Sequence, residues 1–165
     1  MSEVNVKVRV GTPDDIDGMM QLSLAACDEN GLSNPNPSKL LNELWPALNL
    51  DHGIVGIIGK PGEKFEAAIL LRTDAMWYTD TTMLIERAIF VDPEFRRGSV
   101  GRARLLIDFA KEAAESLDMP LIIGILSSHR AEAKVKLYKR QFGEPSGAYW
   151  IFGAKTGSWK EPSAV

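Results

Sequence analysis

A strand ended by a proline, followed by a loop of small residues and arginines and then by an amphipathic helix, is the feature that most constrains how this sequence can fold. The strand ends near residue 91, Pro93 follows it, and the helix is predicted to begin near Ser99. Uncovered backbone amides at a helix N-terminus, together with the helix dipole, favour an anion such as phosphate. The stretch supplies the candidate anion-binding residues Arg96, Arg97, Gly98, Ser99, Val100, Gly101, Arg102 and Ala103.

The same loop does not match the two common nucleotide-binding patterns. The sequence contains no G-x-x-x-x-G-K-S/T, and Gly98-Ser-Val-Gly101 lacks the leading Gly-x of G-x-G-x-x-G. The pattern therefore argues against a mononucleotide P-loop and against a Rossmann site. An ordinary glycine turn with solvated arginines is the alternative to a phosphate site.

Length and composition indicate one domain. The chain has 165 residues, of which 45% are hydrophobic, so it can bury a full core. We expect a single domain over residues 1–165, with a core at about 4–154 and a tail at 155–165 that has too few apolar residues to require order. The net charge of −3 argues against nucleic-acid binding, because such a surface needs a basic face.

Cysteine use and hydropathy indicate the compartment. Cys27 is the single cysteine, so it cannot form an internal disulfide, and its place on a helical apolar face favours packing over nucleophilic chemistry. The sequence begins with neither the basic nor the apolar region of a secretory signal, and no apolar run approaches about 18 residues. We therefore expect a cytoplasmic protein without a membrane span. His52 and His129 form no recognisable metal set with Cys27, so no metal is predicted.

Hydrophobic periodicity predicts the remaining elements. The alternating valines at 4–10 predict a first strand, and the continuous apolar run at 121–126 predicts a strand buried in a parallel pair. A last strand is predicted at 147–152, where Tyr149 and Trp150 more often pack on a sheet than line an acceptor pocket. The other predicted elements are a hairpin at 53–58 and 65–71 and helices at about 12–30, 38–48, 99–117 and 127–142.

Two motifs and the order of elements resemble the Gcn5-related N-acetyltransferases, the GNAT family, over residues 4–154. The family motif Q/R-x-x-G-x-G-A/G here reads Arg96-x-x-Ser99-x-Gly101, with Ser99 at the family's central glycine. Leu137-Tyr138-Lys-Arg-Gln-Phe142-Gly143 looks like the family's L-Y-x-x-x-G-F with the last two residues swapped. The resemblance implies an α/β fold of the α+β type. Its sheet is mixed and mostly antiparallel, with helices on both faces and a parallel unit formed by the fourth strand, third helix and fifth strand.

The resemblance also implies direct transfer of an acetyl group from acetyl coenzyme A to an amine, without an acyl-enzyme. The anion loop would hold the coenzyme pyrophosphate. Phe90 and Val91 would offer backbone groups to the pantetheine and thioester, in a slot that a bulge opens between the fourth and fifth strands. Glu86 matches the family position of a general base, and Tyr138 matches the tyrosine that donates to the coenzyme sulfur. A salt-bridged Glu86 beside Arg87 and a core-packing Tyr138 are the alternatives.

Several questions stay open at this level. Asp80 and Glu66 are alternative bases. The acceptor is expected to be a primary amine of a small molecule or of a protein, with no nucleic acid or membrane as partner, and the protein is expected to be a monomer or homodimer. The competing hypothesis is a catalytically weak or inactive member of the fold that works by binding coenzyme A or a protein partner.

Overall fold

The computed structural model describes residues 5–97, 100–127 and 129–157. Within them, no helix is long and apolar enough to cross a membrane. The regular elements are β1 Arg9–Val10, α1 Ile16–Asn30, α2 Pro37–Leu48, β2 Gly53–Ile58, β3 Ala67–Ala75, β4 Thr82–Val91, α3 Arg102–Leu117, β5 Leu121–Ile122 and α4 Ala131–Phe142, with short 3-10 helices at Pro13–Asp15 and Pro93–Phe95.

The helices end near the residues predicted for them, but three of them begin elsewhere. α3 begins at Arg102 instead of near residue 99, and α4 begins at Ala131 instead of near residue 127. Asp15 accepts a hydrogen bond from the amide N of Thr12 at 2.8 Å at the start of the first helical segment. α2 begins after Asn36, whose side chain accepts from a backbone amide of the first turn, rather than after the predicted cap Ser38. Gly143 ends α4 with a φ of 87°, a conformation that glycine adopts without strain.

The strands form one sheet in the order β1-β2-β3-β4-β5. Its first three pairings are antiparallel and the pairing of β4 with β5 is parallel. Because α3 connects β4 to β5, the parallel pair is a strand–helix–strand crossover. The predicted fold class, a mostly antiparallel α/β sheet with one parallel unit, is therefore confirmed.

The central strand β3 shows why the sheet has helices on both faces. Ala68 and Leu70 pack in a cluster with residues of α1 and α2, whereas Ile69 and Leu71 pack in a cluster with residues of α3. All four side chains are buried. Period-2 alternation thus sends successive side chains of one strand into two cores, one under each helical layer.

The first strand is shorter than the valine alternation predicts. β1 pairs with β2 only through Arg9 opposite Ile57 and Val10 opposite Gly56. Continuing that register would place residue 6 opposite residue 60, in the turn after β2. The alternating valines still have a packing role, because Val6 and Val8 pack against the α3-side cluster without joining the ladder.

The predicted last strand at 147–152 is wrong. That segment has no regular structure, and Tyr149, Trp150 and Phe152 are almost fully exposed. The reason lies in β5, which spans Leu121–Ile122 instead of the predicted 121–126. A strand needs a neighbouring ladder, and β5 offers none beyond residue 122.

A bulge in β4 changes which faces its side chains reach. Leu70 of β3 lies opposite Ala88, whereas Leu71 lies opposite Glu86, so Arg87 is an extra residue in the ladder. Before the bulge Glu86 shares the face of Leu71, toward α3. The ladder between β4 and β5 ends just before this point, at Ile85. The implied bulge and opening between the fourth and fifth strands are therefore present.

Candidate active site

A cavity of about 280 Å³ opens where β4 and the chain after β5 diverge. The second half of β4, the first turn of α3 and one face of α4 form its walls, and the last turn of α1 closes one end. Its lining includes these residues predicted from the sequence: Phe90, Val91, Arg96, Val100, Gly101, Arg102, Ala103 and Tyr138. The structure thus brings most of the predicted site together around one space.

Among the described residues, two of those predicted are not in that lining. Arg97 is exposed outside the cavity. Gly98 and Ser99 lie outside the described residues. Glu86 lies at the divergence of the strands and does not line the cavity itself.

The N-terminus of α3 faces the cavity with Gly101 as its N-cap. No side chain of the described residues caps this helix end. Two hydrogen bonds hold the side chain of Arg102, the first helical residue. Its Nε donates to Glu66 Oε2 at 2.9 Å, and its Nη1 donates to the carbonyl of Phe95 at 3.0 Å. These contacts fix the first turn of α3, and they also neutralise the charge of one arginine predicted to attract phosphate.

Arg96 is neutralised in the same way by Glu29, in the last turn of α1. Its two terminal nitrogens donate to the two oxygens of Glu29, both at 2.7 Å, and its Nε donates to the carbonyl of Val91 at 2.9 Å. The guanidinium also lies over the ring of Phe90, 5.2 Å from its centroid. The two side chains are only 17% and 19% exposed, and the Arg96 guanidinium lowers the pKa of Glu29.

Ser127 joins α1 to the segment that leads into α4. Its hydroxyl donates to Asn30 Oδ1 at 2.5 Å and accepts from Lys134 Nζ at 2.9 Å. His129 lies in the same cluster, with its Nε2 3.6 Å from Glu29 Oε1. The end of α1 is therefore tied both to the loop before α3 and to α4, and these ties hold the cavity walls together.

Glu86 bridges the gap between the diverging strands. Its Oε2 accepts a hydrogen bond from the amide N of Gly124 at 3.3 Å. Burial raises the pKa of Glu86 to about 7, against a partial lowering by the Gly124 amide. A carboxyl with a pKa near neutrality exists in both protonation states at the pH of the cell, which is what a general base needs.

Tyr138 lies on α4 and lines the cavity near Glu86. Burial raises the pKa of its phenol, and the charge of Glu86 raises it further, so the hydroxyl stays protonated at neutral pH. Lys111 of α3 donates to the carbonyl of Gln141 at 2.8 Å and lies over the ring of Phe142, which holds α4 against α3. The hydroxyl is thus a proton donor carried on a fixed helix.

The two alternative bases occupy other positions. Asp80 is exposed in the turn before β4, and Glu66 is paired with Arg102. In the part of the chain that the structure describes, no three His, Cys, Asp or Glu side chains are placed to hold a metal.

Several solved structures similar to this chain are described as acetyltransferases. A possible acetyltransferase from Clostridium difficile 630 is 18% identical, with a TM-score of 0.63 and coverage of 89% of this chain and 96% of that one. AAC(6')-Iy, in complex with the bisubstrate analogue CoA-S-monomethyl-acetylneamine, is 15% identical, with a TM-score of 0.68 and coverage of 90% and 97%. Ribosomal-protein-alanine N-acetyltransferase from Brucella melitensis biovar Abortus 2308 is 16% identical, with a TM-score of 0.63 and coverage of 89% and 97%.

This chain has the GNAT fold. The resemblance found in the sequence is confirmed at that level. No family model and no curated protein matches the sequence.

Sequence reasoning on this GNAT-fold chain missed Glu29, Ser127 and Lys134. Glu29 sits in the last turn of a helix, where nothing in its neighbours marks a partner 67 positions away. Lys134 is one cation among several on α4, and periodicity alone does not tell it from its solvated neighbours. These side chains connect α1 to the loop before α3 and to α4, and local sequence patterns do not predict such contacts between elements.

The raised pKa of Glu86 predicts a specific loss of stability with pH. The folded state keeps the proton up to about pH 7, whereas the unfolded chain releases it near pH 4.5, the ordinary pKa of a glutamate carboxyl. The free energy of unfolding should therefore fall as pH rises through that window, by about 3 kcal/mol in total. Glu86→Gln lacks this term, so its stability relative to the wild type should increase from pH 4 to pH 8. Urea unfolding of both proteins at several pH values measures it, and parallel curves would contradict the raised pKa.

Proposed function

We propose that this protein is an N-acyltransferase that moves an acetyl group from acetyl coenzyme A directly to a primary amine. The observation that carries the proposal is that Glu86 lies at the opening between β4 and the chain after β5, close enough to Tyr138 for its charge to raise the pKa of that phenol. One is a carboxyl that titrates near neutrality, and the other is a phenol that remains protonated. A base and an acid with separated pKa values are what direct acyl transfer requires.

The cavity suits a long thioester with an anionic end. The apolar side chains of Ile89, Val100 and Leu137 line it, which suits a pantetheine arm. The N-cap Gly101 and the first turn of α3 offer amides for phosphate, and the cavity lining carries four cationic side chains against the carboxylate of Glu29. The coenzyme is a substrate in this proposal, and AAC(6')-Iy, with the same fold, binds a coenzyme A analogue.

The chemistry divides between two residues. Glu86 takes a proton from the attacking amine, directly or through a water, so that the nitrogen lone pair can reach the thioester carbonyl. Tyr138 donates to the departing sulfur, which stabilises the thiolate as the carbon–sulfur bond breaks. Glu86 lies opposite Leu71 and therefore on the α3 face of the sheet. The bulge at Arg87 comes after Glu86 and changes the faces of the later residues only.

A panel of amines tests the activity. We expect thiol release from acetyl coenzyme A with at least one acceptor when the panel includes an aminoglycoside and a peptide with N-terminal alanine, the acceptor classes named for proteins of this fold. Saturable coenzyme A binding in calorimetry without turnover on any amine would favour the binding-protein alternative. Absence of both would overturn the proposal.

Two substitutions test the division of labour on an accepted amine. Glu86→Gln should lose about 10²-fold in kcat at neutral pH and recover partly at higher pH, because the free amine becomes more abundant. Tyr138→Phe keeps the packing but lacks the donor, so higher pH should not rescue it, and an acyl donor with a better thiol leaving group should. Asp80→Asn is the matched control and should keep wild-type kcat. A large loss in the control with none in Glu86→Gln would move the base to Asp80.

The pair between Glu29 and Arg96 predicts an effect on coenzyme binding. The Glu29 carboxylate occupies one donor on each terminal nitrogen of Arg96, offsets its charge and repels phosphate from the same wall. Glu29→Gln should therefore tighten coenzyme A binding by about threefold to tenfold in calorimetry. Glu94→Gln makes the same charge change on an exposed residue outside the cavity and should leave the affinity unchanged. Weaker binding in Glu29→Gln would show that the pair serves to build the pocket.

A further inference from the structure

Lys134 is a primary amine inside the cavity proposed for the thioester. It lines the cavity on α4, four residues before Tyr138, a spacing that puts the two side chains on the same face one turn apart. Its Nζ donates to Ser127 Oγ at 2.9 Å, a neutral partner. Within the described part of the chain it forms no ion pair with a carboxylate, unlike Lys139, which lies five positions beyond it on α4 and pairs with Glu144.

The surroundings of Lys134 lower its pKa, so a larger fraction of this amine is neutral than of an exposed lysine. Burial lowers its pKa, and the charges of Arg96 and Arg130 lower it further, against the opposing charge of Glu29. The charged and titratable groups around it come from three elements: Glu29 of α1, Arg96 of the loop before α3, and His129 and Arg130 of the segment before α4. A lysine nitrogen is nucleophilic only when neutral, so this environment activates it.

We propose that Lys134 is an acceptor within the protein's own cavity, so that the protein acetylates itself at this residue when no other amine is bound. Its neutral nitrogen attacks the thioester carbonyl carbon of acetyl coenzyme A, a carbon–nitrogen bond forms, and the carbon–sulfur bond breaks. The electron pair leaves with sulfur, and the proton lost from nitrogen ends on the thiol. The products are N-acetyl-lysine and free coenzyme A, so atoms and charge balance without another reactant. The inference rests on the proposed function, which supplies the thioester.

The same helix provides a matched comparison. Lys136 is exposed and outside the cavity, so any acetylation there reports the uncatalysed reaction of a surface lysine with the thioester. Both lysines lie on α4 and share its sequence context and its stability. A difference in their rates therefore isolates the cavity position of Lys134.

Mass spectrometry of the full-length protein tests the proposal. The protein is incubated with acetyl coenzyme A and no acceptor, and acetylation at each lysine is followed with time by peptide mapping. We expect Lys134 to react at least about tenfold faster than Lys136, at a rate independent of protein concentration. Tyr138→Phe should slow the reaction at Lys134 and leave that at Lys136 unchanged. Lys134→Arg keeps the positive charge and should remove the fast phase while still binding coenzyme A.

Each contrary result has a distinct meaning. Equal rates at Lys134 and Lys136, in a protein that binds free coenzyme A by calorimetry, would overturn self-acetylation and leave the proposed function intact. A Lys134 rate that increases with protein concentration would also overturn it, because transfer would then pass between molecules. A protein that does not bind coenzyme A would overturn both proposals together.

Discussion

The end of the ladder between β4 and β5 is the constraint on which the rest of the structure depends. The two strands pair only through Leu84 and Ile85 with Leu121 and Ile122. Beyond that point β4 has a polar edge that no strand of the described residues covers, and a sheet edge of this kind attracts hydrogen-bonding partners. The cavity, the carboxyl of Glu86 and the exposed segment after α4 all follow from this one divergence.

The bulge at Arg87 changes the face of the sheet on which the later side chains of β4 lie. Without the extra residue, β4 would keep strict alternation, and Ala88 and Phe90 would share the face of Glu86. The bulge instead turns Phe90 into the core under α1 and α2, where it is 7% exposed, and leaves Glu86 on the face of Leu71, toward α3. One extra residue thus puts Phe90 and Glu86, which are four positions apart in the sequence, on opposite faces of the sheet.

Charge in the cavity is arranged differently from what an arginine-rich loop implies. Arg96 and Arg102 are each held by a carboxylate, and both pairs join distant parts of the chain. Their first effect is positional, because they fix the loop before α3 and the first turn of that helix. Arg130 and Lys134, which form no ion pair within the described residues, then provide the unpaired positive charge of the cavity wall. The unpaired positive charge described at the cavity wall therefore lies on α4 and the segment before it, whereas Arg96 and Arg102 are paired.

The sequence predicted the parts of this arrangement that depend on local physics. Gly143 at a helix end and the proline after β4 are signals within a few residues, and both match the structure. The sequence-based prediction failed where strand formation depends on pairing with a neighbouring strand. The segment at 147–152 has the composition of a strand and no ladder to join, and the valines at 6 and 8 pack without pairing. The ion-pair partner of Arg96 is Glu29, which is 67 positions distant, so local patterns could not predict the pair.

The position of Lys134 has a consequence for how binding and reaction are coupled. An acetyl group on its nitrogen would remove one of the two unpaired cations of the cavity wall and would place added volume in the space lined by Tyr138. Both changes act against a second molecule of an anionic thioester, through weaker electrostatic attraction and through steric exclusion. Because the reaction needs a bound thioester, the modification would accumulate only when that substrate is present and no external amine competes. Acetylation of Lys134 would therefore weaken the binding of further thioester to the same cavity.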